Sequence, residues 1–198
     1  MNKITEIIIG TNNKGKYKEI CELLPIKIKK YSPSKFKIPS PKEIGKTFKK
    51  NSFIKASYFS KKTDLICLSD DSGLSIDLLK GKPGIYSSRW AGKKKNFNLA
   101  ISKIFKKMSK VKKNWENNNK AKFTCCMTLY WPNGKSFSSK GIVKGKIVNK
   151  KKGKNGFGYD PIFVPEGYKK TFGQMDQKLK MSIDHRFKAF SKLKKFFL

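Results

Sequence analysis

The sequence predicts a mixed α/β fold, and three observations carry that prediction. Short β-branched strands alternate with helical segments through the first half of the chain. An unbroken alternation then runs from Phe123 to Trp131, followed by the turn signal Pro132-Asn133-Gly134 and a returning strand. The chain closes on an apolar stripe at helical spacing, Ile183, Phe187, Phe190, Leu193 and Phe197. Alternating strands and helices favour parallel pairing and a hairpin forces antiparallel pairing, so the sheet is mixed and flanked by helices. With 198 residues, a 37% hydrophobic fraction and 15 Phe, 7 Tyr and 3 Trp, the chain can bury a core without disulfides or metals. No internal repeat and no linker divides it, so residues 1–198 read as a single domain.

Residues 4–9 read as a strand, and Gly10 to Asn13 are breakers and caps before a helix carrying Tyr17, Ile20, Leu23 and Leu24 on one face. A second strand is expected near 26–31. The segment 32–46 contains three prolines and reads as loop. Thr47 to Lys62 is helical by its spacing of Phe48, Ala56 and Phe59. Leu65 to Ser69 is a buried strand expected to stop at Asp70-Asp71-Ser72-Gly73. Asn96 caps a helix over 96–108, residues 149–156 form a Lys/Gly/Asn loop, and a strand is expected at 161–164. Ser182 is the expected N-cap of the final helix.

The charge is extreme. Lys and Arg total 47 against 13 Asp and Glu, a formal net charge of +34. The aromatic content excludes a disordered polycation. All the basic residues except Arg89 and Arg186 are Lys, distributed along the whole chain. A dedicated nucleic-acid reader would use more Arg, the planar fork for phosphate and base edges. Most of the excess therefore reads as solvated surface, although it still predicts attraction to polyanions. Nucleic-acid binding is expected to be non-specific if it occurs. The cysteines, Cys21, Cys67, Cys125 and Cys126, form no C-x-x-C pair and read as buried thiols of a reducing, cytoplasmic compartment. No stretch has the length of a signal h-region or a membrane span.

Four clusters can carry chemistry. Gly10 to Lys16 has Walker A spacing between a strand and a helix, but Tyr17 stands where Ser or Thr would hold Mg²⁺. Its polar residues and helix N-terminus still suit an anion. Asp70-Asp71-Ser72-Gly73 places two of the few acids side by side. On a strand they point to opposite faces, so one can be structural and the other reach a ligand. Carboxylates there suit Mg²⁺. Gly153 to Asp160 interleaves glycines with aromatic rings, which lets backbone approach and rings stack on a flat ligand. Asp184-His185-Arg186 joins the sole histidine to one of the two arginines. Taken singly, each has a bland reading: an ordinary βα turn, a polar turn, a flexible loop, and a surface ion pair of Arg186 with Asp184.

In order and together, these clusters resemble the inosine triphosphate pyrophosphatase family. Gly10-Thr11-Asn12-Asn13-Lys14-Gly15-Lys16 is similar to its T-x-N-x-x-K loop. Ser69-Asp70-Asp71-Ser72-Gly73-Leu74 and Pro83-Gly84-Ile85-Tyr86-Ser87-Ser88-Arg89 are similar to its D-D-S-G-L and P-G-x-Y-S-x-R segments. Gly156-Phe157-Gly158-Tyr159-Asp160-Pro161-Ile162-Phe163 matches G-F-G-Y-D-P-x-F without change, and His185-Arg186 is retained. The resemblance implies an elongated mixed sheet, two lobes with a central active-site cleft, and a homodimer. It implies Mg²⁺-dependent hydrolysis of deaminated purine nucleoside triphosphates (ITP, dITP, XTP) to monophosphate and pyrophosphate. It also implies roles: Thr11, Asn13 and Lys16 on the phosphates; Asp71 as general base and metal ligand; Glu43 as a second metal ligand; Ser72 as a substrate contact. Phe157, Gly158, Tyr159, Asp160, Lys180, His185 and Arg186 would enclose the nucleotide. Two departures stand out. Lys50 in Thr47-Phe48-Lys49-Lys50-Asn51-Ser52 occupies a position that is acidic in T-F-x-E-N-A, and Phe187 replaces a small residue. Two other classes stay open on the residues alone: a basic nucleic-acid-binding protein without catalysis, and a P-loop-like NTPase that cleaves at the γ-phosphate.

Overall fold

The structure is a computed structural model that describes residues 3–198. Six strands form one sheet: β1 Glu6–Ile9, β2 Lys29–Tyr31, β3 Cys67–Ile76, β4 Lys120–Tyr130, β5 Ser136–Ile147 and β6 Phe163–Pro165, in the order β2-β1-β3-β4-β5-β6. β1 pairs in parallel with both β2 and β3, whereas β5 and β6 are antiparallel. The mixed sheet expected from the sequence is what forms. The helices are α1 Lys14–Leu23, α2 Phe48–Thr63, α3 Ser87–Trp90, α4 Phe97–Val111, α5 Gln177–Ile183 and α6 His185–Ser191. Among the described residues no helix is long and apolar enough to cross a membrane.

The chain divides into two compact units that share the long strands β3, β4 and β5. The first takes Met1–Asp71, Cys125–Gly141 and His185–Leu198; the second takes Ser72–Thr124 and Ile142–Asp184.

In the first unit, strand alternation sorts side chains into two cores. Ile7, Ile9, Leu68, Cys125, Met127 and Leu129 join Ile20 of α1 and Phe190 of α6 on one face. Ile8, Cys67 and Tyr130 join Ala56 and Phe59 of α2 on the other. The second unit has its own core, in which Leu74, Ile76, Ile104, Met108, Phe123, Phe163 and Phe172 pack together.

Two expectations need correction. β3 does not stop at Ser69 but continues through Asp70-Asp71-Ser72-Gly73 to Ile76, with every residue buried except Ser72. The segment stays extended because its polar groups find partners: the Leu74 N–H, for example, donates to the Ser87 hydroxyl at 2.9 Å. The terminal helix is two helices. α5 is capped by Asp176, whose side chain accepts from the N–H of Lys178 and Leu179, and it ends at Asp184 in an extended conformation. Ser182 lies inside α5 and donates to the Leu179 carbonyl, so it caps nothing. Burial of Asp184 in extended backbone breaks the helix that the apolar spacing suggested.

Candidate active site

The two carboxylates of β3 face opposite sides of the sheet. Asp70 has the parity of Leu68 and points to the α1/α6 side, while Asp71 has the parity of Cys67 and points to α2. Asp70 Oδ2 lies 3.2 Å from Lys16 Nζ and 3.4 Å from Arg186 Nε. Asp71 Oδ2 accepts from Asn51 Nδ2 at 3.1 Å, and its Oδ1 is 4.0 Å from Lys55 Nζ. Lys55 also holds Glu43 Oε1 at 2.8 Å.

The environments separate the two acids electrostatically. Burial alone would raise Asp70, but Lys16, Arg186 and Lys55 outweigh it and hold that carboxyl far below the usual carboxylate range. For Asp71 burial wins: its carboxyl lies above the ordinary range despite Lys55, Lys16 and Asn51, with Glu43 adding to the rise. Burial would likewise neutralise Lys55, yet Asp70, Asp71 and Glu43 keep it charged. Glu43 is lowered, because Lys55 overcomes the cost of its partial burial.

The local sequence explains these placements. Asn13 caps α1, its Oδ1 accepting from the Lys16 N–H at 3.0 Å, and Thr11 Oγ1 accepts from the Asn13 N–H at 3.2 Å. These caps leave the hydroxyl hydrogen of Thr11 and the amide hydrogens of Asn13 as donors at the helix start. Asn12 Nδ2 donates to Ser40 Oγ at 3.0 Å, tying this turn to the segment that carries Glu43. Asn51 is the joint of the other side: its Oδ1 accepts from the Gly45 N–H at 2.8 Å while its Nδ2 holds Asp71. Lys50, the departure from the family pattern, is exposed, with its ammonium 5.5 Å from the Phe53 ring. Tyr17 is partly buried and its phenol is pushed up to about 12, chiefly by burial.

Arg186 is buried rather than paired on the surface. Its Nη1 donates to Glu19 Oε2 at 2.6 Å, so two carboxylates on α1 and β3 orient the guanidinium. His185, beside it, is also buried. The start of α6 lies so close to β5 that a Cβ on Gly141 would sit 2.2 Å from the His185 carbonyl oxygen.

In the second unit the glycine-rich loop is folded around Asp160. Its Oδ2 accepts from the Phe157 N–H at 2.8 Å and from Lys180 Nζ at 2.7 Å. Lys180 is buried and lies 5.2 Å from the Phe157 ring centre. The loop's base rests on the turn before α5: Thr171 Oγ1 donates to the Lys152 carbonyl, and a Cβ on Gly153 would lie 1.9 Å from the Gly173 carbonyl oxygen. Tyr159 belongs to the core, its hydroxyl donating to the Ser87 carbonyl at 2.8 Å. Of the loop's two rings, only that of Phe157 is partly exposed, as is Ser72.

Within the first unit the structure thus joins Lys16, Asp70, Asp71, Glu43 and Arg186, with Thr11 and Asn13 shaping the turn before Lys16. Sequence reasoning missed Lys55, Asn51 as an anchor, and Glu19. The signals were present: Asn51 and Lys55 are four apart on α2, Lys16 and Glu19 three apart on α1, so each pair shares a helix face.

Comparison with known proteins shows the family of the chain. The Ham1 family model matches residues 7–196. The chain belongs to the Ham1 family. It is 40% identical over 189 residues to the dITP/XTP pyrophosphatase of Caulobacter vibrioides, covering 96% of both chains. It is 39% identical to that of Desulforamulus reducens, covering 94% and 92%. Among solved structures, a HAM1 protein from Coxiella burnetii superposes with a TM-score of 0.85 at 35% identity, covering 96% of each chain. The Staphylococcus aureus Ham1 protein gives 0.83 at 34% identity, covering 96% of this chain and 97% of that one.

Proposed function

We propose that this Ham1-family enzyme hydrolyses deaminated purine nucleoside triphosphates, ITP, dITP and XTP, to the monophosphate and pyrophosphate. The observation that supports this best is the division of labour at Asp70-Asp71. One carboxylate is neutralised by Lys16 and Arg186. The other sits on Asn51 and Lys55 with its proton affinity raised. A carboxylate shifted toward neutrality is a better general base than an ordinary aspartate.

The N-terminal N–H groups of α1, the Lys16 ammonium and the donors of Thr11 and Asn13 attract and align the polyphosphate. Asp71 takes the proton of the attacking water. The water oxygen bonds to phosphorus, the bridging P–O bond breaks, and the electron pair leaves with pyrophosphate. Lys55, held charged between Glu43 and Asp71, offsets negative charge at the phosphates. Glu43 and Asp71 already converge on one cation, and oxygen donors of this kind suit Mg²⁺. Those two residues would hold the ion, which supplies further neutralisation of the phosphates when bound. His185 and Arg186 present donors that match a 6-oxo purine and oppose the 6-amino group of adenine. In the second unit, Asp160 and Lys180 brace the loop that carries Gly158 and the partly exposed Phe157 ring. The four cysteines are all free thiols, which supports a reducing compartment.

The test is turnover of ITP with magnesium by the wild type and by Asp71→Asn. The amide keeps the shape and loses the base, so kcat falls by roughly two to four orders of magnitude in a folded protein. Near-normal turnover by a folded Asp71→Asn variant would remove Asp71 from the mechanism.

A further inference from the structure

Glu19, Glu43, Asp70, Asp71 and Asp160 pair with cations, and long tracts of the chain have almost no acid. Between Asp77 and Asp160 the sole acid is Glu116. That tract contains α4, whose buried face is Ala100, Ile101, Ile104 and Met108. Lys103, Lys106, Lys107 and Lys110 are exposed and fall at i, i+3, i+4 and i+7, which places them in one stripe away from that face. Every neighbour pair within the stripe is like-charged, and no acid on α4 relieves it. The contrast with other cations is direct, since Lys16, Lys55 and Arg186 of the first unit and Lys180 of the second each meet a carboxylate.

The stripe has an aromatic partner. Trp90 of α3 is half-buried, and the ammonium groups of Lys103 and Lys107 lie 4.9 Å and 5.8 Å from its ring centre. Beside it, Lys93, Lys94 and Lys95 are exposed on the turn from α3 to α4. A row of lysines tracks phosphates, and an aromatic ring within the row stacks on bases that are not already paired. A duplex would use the charges and leave the ring idle.

We propose that the α3–α4 face of the second unit binds single-stranded nucleic acid, with Lys103, Lys106, Lys107 and Lys110 on the phosphates and Trp90 against a base. The inference is independent of the hydrolytic assignment, because none of these residues belongs to the candidate active site.

The test uses fluorescence anisotropy of a labelled oligothymidylate of about 20 nucleotides, titrated at several salt concentrations. Lys103→Gln/Lys107→Gln is compared with Lys61→Gln/Lys62→Gln, an equal charge change on exposed residues of α2. Far-UV circular dichroism and the thermal unfolding midpoint serve as the folding control for both. The stripe variant should bind about tenfold more weakly, with a salt slope reduced by about 1.4, while the α2 variant should change less than about threefold. Binding should also quench tryptophan emission in the wild type and lose most of that quench in Trp90→Phe. Equal losses in the two lysine variants would overturn the proposal in favour of diffuse attraction to the whole charged surface. Equally tight binding of a duplex of the same length, or of polyglutamate, would overturn the single-strand assignment.

Discussion

Asp70 and Asp71 are separated by one peptide bond and sit in opposite electrostatic settings. Asp70 is fully buried against Lys16 and Arg186, and its proton affinity is strongly depressed. A depressed folded-state value contributes stability above the unfolded aspartate value of about 3.9, and that stability is lost as pH falls toward the lower folded value. Asp70→Asn should therefore destabilise the protein at neutral pH by about 3–5 kcal/mol, the usual cost of breaking a buried charge pair. It should also flatten the decline below about pH 4. Urea midpoints across that range measure this, and parallel profiles for the two proteins would show that Asp70 carries no such linkage. Arg186 makes the second residue-scale test. Its fork meets Glu19 and Asp70 at once, which an ammonium cannot do in the same geometry. Arg186→Lys should lower kcat/KM for ITP steeply and lower the melting temperature, with little change in the weak ATP rate. Equal loss on ITP and ATP would reduce Arg186 to a structural tie.

α2 shows how one helix presents different faces to different tasks. Asn51 and Lys55 point to Asp71, Ala56 and Phe59 to the core, and Lys50 to solvent over Phe53. The Lys at a usually acidic position thus lies away from the Glu43–Lys55–Asp71 group. Lys50→Glu should leave the magnesium titration of ITP hydrolysis unchanged, and a lowered magnesium requirement would mean that this position belongs to the metal site after all. The sequence makes α1, α2, α4 and the β4–β5 hairpin legible, because apolar periodicity and caps are local signals. It misplaces the end of β3, since Asp-Asp-Ser-Gly has turn composition and only the surrounding partners, such as Ser87, keep it extended. It merges α5 with α6 for the converse reason: the apolar spacing continues across Asp184, while tertiary burial decides the break.

For the whole molecule, the charge is the property that composition reports most loudly and explains least. A formal charge of +34 says nothing about which cations act. Pairing sets some of them apart: carboxylates hold Lys16, Lys55, Lys180 and Arg186 from among the many. The motifs placed Thr11, Asn13, Lys16, Asp71 and Arg186 in sequence order, but the separation of Asp70 from Asp71 depends on strand parity and on two different helices. Glu19 and Lys55 were hidden because a buried charged residue looks like any exposed one until its partner is known. The products of ITP hydrolysis with magnesium, identified by phosphorus NMR, reveal which phosphate bond the enzyme breaks. Inosine monophosphate and pyrophosphate in equal amounts are the predicted result. Inosine diphosphate and orthophosphate would contradict it and place the reaction at the γ-phosphate.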